Sequence, residues 1–318
     1  MVNQPMPFDL GLVNAIRVNG PAVTRRAATI GTRRCFKVEA QVAALIRAVR
    51  CIDLTTLAGD DTPGRVQRLC AKALQPVRRE ILTDLDLGDF NLTVGAVCVY
   101  HGQVAEAARV LNGRLRIAAV STSFPDGQGP RETRLREIEL SIEAGATEID
   151  VVIPRGLVLA GEWVGLFNEV LAMRQACGNR AKMKVILGTG NLSTLENVAK
   201  TSAVAIMAGA DTIKTSTGKE PVNATLPVGL VMVRQIRRFR DEVPTDQQRI
   251  VGFKPAGGIS SAADAMPWLS LMLEELGEEW ARPDRFRFGA SSLLNDIERQ
   301  LEHLATGRYA AAYHQPMA

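Results

Sequence analysis

The chain has 318 residues, 46% of them hydrophobic and 23% charged, and a net charge of +4. No apolar run approaches the ~20 residues of a membrane-spanning helix, so we expect no membrane partner. Five cysteines without C-x-x-C spacing and three scattered histidines argue against a disulfide framework or a metal site and favour the reducing cytoplasm. The basic residues form no single block, which excludes a typical nucleic-acid binder and suits a small anionic substrate.

The first 38 residues contain one acidic and six basic residues, which are Asp9, Arg17, Arg25, Arg26, Arg33, Arg34 and Lys37. This bias resembles an organelle transit peptide, but a solvated helical extension is the better interpretation. No compact apolar core followed by a small-residue cleavage site is present, so a secretory signal is not expected. We predict a helical extension over residues 1–48 and one domain, including a C-terminal tail, over residues 49–318.

From residue 50 onward, short β-rich runs alternate with longer amphipathic segments. Eight strands are predicted, in the segments 51–55, 96–100, 116–122, 147–153, 182–187, 211–215, 250–254 and 286–290. Helices are predicted over 131–143, 195–207 and 227–240, with Gly145 and Gly209 as stop signals. Eight strand–helix units over about 250 residues predict a TIM (β/α)8 barrel. A doubly wound open sheet is the alternative, but no G-x-G-x-x-G motif follows the first strand.

Side chains along a barrel strand alternate between the interior and the surrounding helices. If the apolar residues of these strands face the helices, several polar residues must face the interior. These are Asp53, Thr55, Cys98, Asp150, Lys184, Lys214 and Lys254. A single lysine at a strand end is more often a surface residue, and a single inward aspartate is often half of an ion pair. Three lysines and two aspartates inside one barrel favour an active site, because buried charges are costly and barrel active sites lie at the strand ends.

Lys214 and Lys254 are 40 residues apart, which places them on adjacent strands. A neighbouring ammonium group and desolvation both lower the pKa of a lysine. Lowering it from about 10.4 to about 7 requires ~4.6 kcal/mol. A neutral lysine attacks carbonyl groups and forms a Schiff base, so the pair predicts carbonyl chemistry through an imine.

Two glycine- or serine-rich turns follow the last two strands, P-A-G-G-I-S at 255–260 and F-G-A-S-S at 288–292. The loops after the seventh and eighth strands of barrels often bind phosphate, with the help of a helix N-terminus. Either turn alone is more simply an ordinary turn with a helix cap. Both turns together, with Lys219 nearby, favour a phosphate site.

Seven separated motifs carry a family resemblance. They are C-I-D-L-T-T-L, A-V-C-V-Y, T-E-I-D-V-V-I, I-K-T-S-T-G-K, V-N-A-T, V-G-F-K-P-A-G-G and F-G-A-S-S-L-L. In this order and spacing they closely resemble the deoxyribose-phosphate aldolase family, in its longer, animal-type branch. The resemblance implies a class I aldolase that reversibly cleaves 2-deoxy-D-ribose 5-phosphate to acetaldehyde and D-glyceraldehyde 3-phosphate. It implies no metal or organic cofactor, because an iminium ion serves as the electron sink. A homo-oligomer is compatible with the sequence.

The resemblance also implies roles for single residues. Lys214 would form the Schiff base, Lys254 would lower its pKa, and Asp150 would relay protons with Lys254 through water. The implied substrate-binding residues are Asp53, Thr55, Cys98, Lys184, Thr217, Gly218, Lys219, Gly257, Gly258, Ser291 and Ser292. Ser260 departs from the family pattern, because many members have an arginine near the phosphate at this position. Tyr309 and Tyr313 are both candidates for the C-terminal tyrosine that assists protonation in some members.

Two other functions remain open at this point. One is a related Schiff-base barrel, such as a transaldolase or another sugar-phosphate aldolase. The other is a sugar-phosphate-binding protein that has lost turnover, although Lys214, Lys254 and Asp150 are all present.

Overall fold

The computed structural model describes residues 2–32, 38–311 and 314. Eight strands cross this part of the chain, and each lies within one of the predicted segments. Their bounds are Ile52–Thr55 (β1), Ala96–Tyr100 (β2), Arg116–Ser121 (β3), Glu148–Val152 (β4), Lys182–Ile186 (β5), Thr212–Lys214 (β6), Gly252–Lys254 (β7) and Phe288–Ala290 (β8).

The strands pair in parallel, in the order β7-β6-β5-β4-β3-β2-β1-β8. Two single bridges, from Phe253 to Phe286 and from Ala256 to Gly289, join the two ends of this sheet. The sheet therefore closes into a barrel, which confirms the predicted TIM (β/α)8 fold.

Five predicted strands begin before the observed ones, those of β1, β4, β6, β7 and β8. β6 begins after Asp211, whose carboxylate accepts hydrogen bonds from the backbone N–H groups of Asn3 and Met183. β7 begins two residues after Ile250, whose side chain is 56% exposed. These segments enter the barrel through polar or exposed residues, which strand propensity alone does not reveal.

An outer layer of helices surrounds the barrel. The helices of the described chain are Leu10–Ala15 (α1), Gly20–Gly31 (α2), Val38–Arg50 (α3), Pro63–Leu74 (α4), Arg79–Asp84 (α5), Val104–Leu111 (α6), Arg131–Glu143 (α7), Arg155–Leu159 (α8), Trp163–Cys177 (α9), Leu195–Met207 (α10), Leu226–Asp241 (α11), Ala262–Leu276 (α12) and Leu293–Thr306 (α13). α7 and α10 have the predicted bounds, and α11 is one residue longer at each end. Gly145 and Gly209 adopt positive φ angles of 110° and 95° just beyond α7 and α10, as a glycine after a helix end does.

The N-terminal segment lies across the N-terminal end of the barrel. The Asn3 side-chain amide donates to the carbonyls of Ala210 and Ile250, each at 2.9 Å. The Met6 N–H donates to the carbonyl of Met207, also at 2.9 Å. From there α1 contacts α9 and α10, and α2 contacts α11 and α12. The extension is thus helical and packs onto the barrel, while the boundary at residue 48 stays a prediction because residues 33–37 lie outside the described chain.

Apolar side chains form two separate clusters. The larger cluster fills the layer between strands and helices and includes the outward-facing Ile149, Ile213 and Phe253. The smaller cluster lies inside the barrel, on one side of it. Within the described ranges, no helix is long and apolar enough to cross a lipid bilayer.

Candidate active site

Ionisable side chains from four consecutive strands, β4 to β7, meet inside the barrel. Lys214 and Lys254 are direct register partners on β6 and β7. Asp150 and Lys184 are register partners on β4 and β5. Because side chains at register partners in a sheet point to the same face, each pair enters the interior together. All four are at most 3% exposed.

Asp150 is the hydrogen-bonding centre of this group. Its Oδ2 accepts from Lys214 Nζ at 2.9 Å and from Lys254 Nζ at 2.8 Å. Its Oδ1 accepts from Lys184 Nζ at 2.9 Å. One carboxylate thus orients three ammonium or amine groups, which fixes their positions relative to one another.

A second group of charges lies deeper, toward the N-terminal end of the barrel. Asp53 accepts hydrogen bonds from Lys254, Lys184 and Arg287. Glu148 pairs with Lys184 at 2.6 Å and with Arg287 Nη2 at 3.1 Å. The sequence analysis missed Glu148 and Arg287. The same alternation would have found them, because Glu148 is two residues before Asp150 and Arg287 is two residues before the inward Gly289.

Gly289 makes room for this arrangement. A Cβ atom at position 289 would lie 2.7 Å from the Ala256 Cβ and 3.2 Å from the Lys254 Cε. A side chain here would therefore displace the long arm of Lys254 from the interior.

The carboxylates of the cluster are held in their charged form. Burial alone would raise the pKa of Asp150, but Lys184, Lys214 and Lys254 together hold that pKa well below its usual value. Burial acts in the same way on Asp53, whose pKa Lys184, Lys254 and Arg287 lower. Both aspartates are consequently anionic at neutral pH.

The three lysines differ in their proton affinity. Burial opposes charge on each, but Asp150 and other carboxylates raise the pKa of Lys184 and that of Lys254 above the ordinary value. For Lys214, burial lowers the pKa, Asp150 partly opposes this, and Lys254 lowers the pKa further. Lys214 is thus the lysine most easily deprotonated. The direction agrees with the expected influence of Lys254, although burial is the larger cause.

The opposite side of the barrel interior is apolar. Its buried members are Cys98, Ala118, Val120, Phe124, Val152 and Ile186, with Leu57 and Tyr100 packed against them. The predicted substrate-binding Cys98 is part of this surface, and burial raises the pKa of its thiol. The interior therefore offers a charged side and an apolar side to one bound molecule.

A cavity of about 400 Å³ opens at the C-terminal ends of the strands, above the charged groups. Lys214 lines it, at the end nearest the barrel axis. Eight of the residues predicted to bind substrate line it as well: Thr55, Thr217, Gly218, Lys219, Gly257, Gly258, Ser291 and Ser292. The structure therefore brings these eight residues together with Lys214, whereas Asp53, Cys98 and Lys184 lie in the interior beneath.

Backbone groups dominate the far end of this cavity. Gly257 and Gly258 have positive φ angles of 81° and 79°. A Cβ atom at position 257 would lie 2.5 Å from Asn223, so glycine is needed there. α13 begins at Leu293, directly after Ser292. A helix N-terminus beside consecutive positive-φ glycines favours an anion.

Glu220 holds the turn that follows β6. Its carboxylate accepts hydrogen bonds from the Thr217 N–H at 3.0 and 3.1 Å and from the Thr217 hydroxyl at 2.7 Å. The Lys219 N–H in turn donates to Thr217 Oγ1. Gly218 and Lys219 are thereby fixed at the cavity edge. The sequence analysis did not single out Glu220, because its role depends on loop geometry.

The remaining expectations concern Ser260 and the two C-terminal tyrosines. Ser260 lines the cavity, and its N–H and hydroxyl both bond to Asp264 Oδ2, at 3.1 and 3.2 Å. Tyr309 stacks on His303, with ring centroids 3.9 Å apart. Tyr309 follows the end of α13, whose first residue is the one nearest the cavity-lining Ser292. Tyr313 is outside the described residues.

A sequence profile described as "DeoC/LacD family aldolase" matches residues 47–299. The chain belongs to this aldolase family. A human protein named deoxyribose-phosphate aldolase is 52% identical over 99% of each chain, and a mouse protein of the same name is 54% identical over 98% of this chain and 97% of its own. The DeoC/LacD match covers the whole barrel except the end of α13.

Solved structures agree on the fold of this DeoC/LacD family member. A deoxyribose phosphate aldolase from Aeropyrum pernix is 22% identical, covers 86% of this chain and all of its own, and superposes with a TM-score of 0.60. At this level of identity the likeness concerns the barrel architecture.

Proposed function

We propose that this chain is a class I aldolase that reversibly cleaves 2-deoxy-D-ribose 5-phosphate to acetaldehyde and D-glyceraldehyde 3-phosphate. The near full-length identity to mammalian deoxyribose-phosphate aldolases supports this substrate. The observation that supports the mechanism is the position of Lys214, a buried lysine whose Nζ lies 2.9 Å from Asp150 Oδ2 and which lines a cavity edged by Gly257, Gly258 and the residues just before α13.

The first step is imine formation on Lys214. The neutral amine attacks C1 of the open-chain sugar, and the resulting carbinolamine loses water to give an iminium ion. Asp150 Oδ2, 2.9 Å from the Lys214 Nζ, orients the nitrogen for attack. The Lys254 ammonium, on the same oxygen, is placed to donate a proton to the departing hydroxyl.

The second step breaks the C2–C3 bond. The C3 hydroxyl loses its proton, the bonding electrons flow into the iminium, and D-glyceraldehyde 3-phosphate leaves a neutral enamine on Lys214. The Lys254–Asp150 pair relays this proton through water and returns one to C2 of the enamine. Hydrolysis of the imine then releases acetaldehyde. The apolar surface around Val152 and Ile186 suits this two-carbon fragment.

The sugar phosphate lies in the far part of the cavity. Backbone N–H groups of Gly257, Gly258, Ser291 and Ser292 and the ammonium of Lys219 form its site. Ser260 brings no positive charge, so backbone groups and Lys219 supply the binding. Binding of the phosphate positions the rest of the sugar, so that C1 lies beside Lys214.

The test is reductive trapping with acetaldehyde and borohydride. We expect a two-carbon adduct on Lys214 by peptide mass spectrometry, its absence in Lys214→Leu, and no adduct when dihydroxyacetone phosphate replaces acetaldehyde. Release of acetaldehyde from deoxyribose 5-phosphate, coupled to an alcohol dehydrogenase, should be lost in the same variant. An unmodified Lys214 in the wild-type protein would rule out the aldolase mechanism.

The cytoplasm and a homo-oligomeric state remain predictions for this chain. The buried, free cysteines of the described residues, Cys51, Cys70, Cys98 and Cys177, suit a reducing compartment. Light scattering of the purified protein would give the oligomeric state, and fractionation of cells that express the full chain would give the location.

A further inference from the structure

Arg287 and Glu148 form the deepest part of the charged cluster and are not among the residues that line the cavity in the described chain. Arg287 Nη2 lies 3.1 Å from Glu148 Oε1, and Arg287 Nη1 bonds to Asp53 Oδ1. Both side chains are buried, at 4% and 2% exposure. Glu148 connects this pair to the lysines, since its Oε2 lies 2.6 Å from Lys184 Nζ. No step of the proposed reaction uses either residue.

The cluster contains one more basic residue than acidic residues. Among the described residues inside the barrel, the acids are Asp53, Glu148 and Asp150, and the bases are Lys184, Lys214, Lys254 and Arg287. Fully charged, this set carries four positive and three negative charges, which leaves one positive charge in surplus. Removing one proton balances it. In a buried site, a balanced set is much more stable than an unbalanced one.

Hydrogen bonding determines which base releases that proton. In the described network, Lys184 contacts three carboxylates, and Lys254 and Arg287 contact two each. Lys214 contacts one, that of Asp150. Lys214 is therefore the least compensated cation, and the surplus proton leaves from its nitrogen.

Other groups near the cluster do not change this count. The thiol of Cys98 lies near Lys254 and Lys214, and that of Cys51 lies near Arg287. Burial raises the pKa of each thiol, so both are neutral at pH 7. Arg116, 42% exposed, lies 3.8 Å from Glu148 at the solvent-facing end of the barrel, where water screens it. Apart from Arg116 at its start, β3 contributes uncharged side chains to the interior, those of Ala118 and Val120.

We propose that Arg287 and Glu148 are positioning residues that set the protonation state of Lys214 from the far end of the barrel, by fixing the number of charges in the cluster. This inference rests on the proposed Schiff-base function of Lys214. Arg287 supplies the fourth positive charge, which makes one proton superfluous. Glu148 limits the surplus to a single charge, so that Lys184 and Lys254 stay protonated.

The same count favours carbon–carbon bond cleavage. Iminium formation on Lys214 returns the cluster to four positive charges against three. Collapse of the iminium to the enamine removes that charge and restores the balance. The cluster thus opposes the cationic intermediate and favours the electron flow that cleaves the bond.

Opposite charge changes should shift the pH dependence in opposite directions. Arg287→Met removes a positive charge, so the Lys214 ammonium is stabilised, its pKa rises, and the acidic limb of kcat/KM moves to higher pH. Glu148→Gln removes a negative charge, so the limb moves to lower pH. At an effective dielectric constant of about 20, one charge about 10 Å away shifts a pKa by roughly one unit. We expect shifts of that size in each variant.

The decisive measurement is the pH dependence of acetaldehyde trapping on Lys214 with cyanoborohydride, alongside turnover. The double variant Glu148→Gln/Arg287→Met has three positive and two negative charges and again one surplus proton. The midpoint of its acidic limb should lie within about 0.3 pH units of the wild-type midpoint, which is the usual error when mutational effects are added. The control is Arg174→Met, which removes a buried arginine from Asp211, 2.7 Å away outside the barrel interior. This control should lower stability without moving the limb.

Each outcome has a definite meaning. Opposite shifts with restoration in the double variant support the charge count. Shifts in one direction, or no shift, with normal trapping in the wild type overturn it and leave the aldolase function standing. An untrapped wild-type Lys214 overturns the proposed function and this inference together. If Arg287→Met does not fold, Glu148→Gln decides by the sign of its shift.

Discussion

Lys214 and Lys254 donate to the same oxygen atom of Asp150, at 2.9 and 2.8 Å. Two ammonium groups on one carboxylate oxygen repel each other strongly in a buried site. Lys254 is also bonded to Asp53, whereas Lys214 has its one carboxylate contact in the described network with Asp150. This asymmetry explains why two neighbouring lysines have opposite pKa shifts.

Replacing Lys254 should suppress activity at neutral pH. Lys254→Leu removes a cation that lowers the pKa of Lys214, so Lys214 becomes protonated and loses its nucleophilicity. We expect a loss of turnover of roughly 100-fold at pH 7, the contribution of a positioned acid–base group. Partial recovery is expected as the pH rises toward the pKa of an ordinary lysine, about 10.4, and acetaldehyde release measures both effects. Lys72→Met, which removes a lysine from the buried carboxylate of Glu298, is the matched control. Near-wild-type turnover at pH 7 would refute the influence of Lys254.

Replacing Asp150 should destabilise the fold as well as the activity. Asp150→Asn leaves three buried lysines without this charge, and breaking a buried ion pair costs about 3 kcal/mol. Urea unfolding at pH 7 measures the loss. Asp246→Asn, at an exposed position, should leave the free energy of unfolding unchanged. An Asp150→Asn protein as stable as the wild type would mean that the lysines are neutral.

Acid should unfold the protein through the same carboxylates. The pKa values of Asp53, Glu148 and Asp150 are lowered in the folded protein. These carboxylates therefore contribute fully to the free energy of unfolding at any pH above their pKa values in the unfolded chain, which are about 4. It decreases as the pH falls below that range, because the unfolded chain takes up protons first. We expect the urea midpoint to fall steeply between about pH 5 and pH 3. Glu148→Gln should make this fall less steep, and an equal slope would contradict the assignment.

Lys219 should affect phosphate binding rather than bond cleavage. Its ammonium lies at the cavity edge, where it donates to the carbonyl of Leu57 at 3.2 Å. Lys219→Met should raise KM for deoxyribose 5-phosphate about tenfold, the worth of one charge-assisted hydrogen bond. KM for unphosphorylated deoxyribose should not change. Lys200→Met, which removes a lysine paired with Glu196 on α10, serves as the control. Equal effects on both substrates would place the phosphate elsewhere.

The N-terminal segment should stabilise the barrel. Asn3→Ala removes two hydrogen bonds to the backbone at the entrances of β6 and β7, each worth about 1 kcal/mol. A lower urea midpoint is expected, with unchanged KM. Asn14→Ala, on the exposed face of α1, should have no effect. If Asn3→Ala leaves the midpoint where it is, the segment does not hold these strands.

The alternation of side chains made much of the site predictable from sequence. It placed Asp150, Lys214 and Lys254 inside the barrel, because the apolar residues beside them fix which face each strand turns inward. The same rule covers Glu148 and Arg287, which escaped notice because they lie at strand starts rather than at the ends where barrel active sites form.

Other features depend on distances that no local pattern contains. The sharing of one Asp150 oxygen by two lysines depends on strand register and barrel tilt. The contact of Glu220 with Thr217 depends on the path of a loop. The Asn3 side chain occupies the carbonyls of Ala210 and Ile250, which lie just before β6 and β7, and no local pattern reveals these contacts.

The closed barrel has a consequence for the chain during synthesis. The charged cluster takes residues from five strands and from Arg287 just before β8, and so spans Asp53 to Arg287 in sequence. Until the last strand docks, Lys214 is an ordinary hydrated lysine, protonated at neutral pH and inert toward aldehydes. The chain thus acquires a reactive amine only at the moment when a shaped cavity encloses it. We therefore expect a chain that lacks the last strand to be inert toward aldehydes.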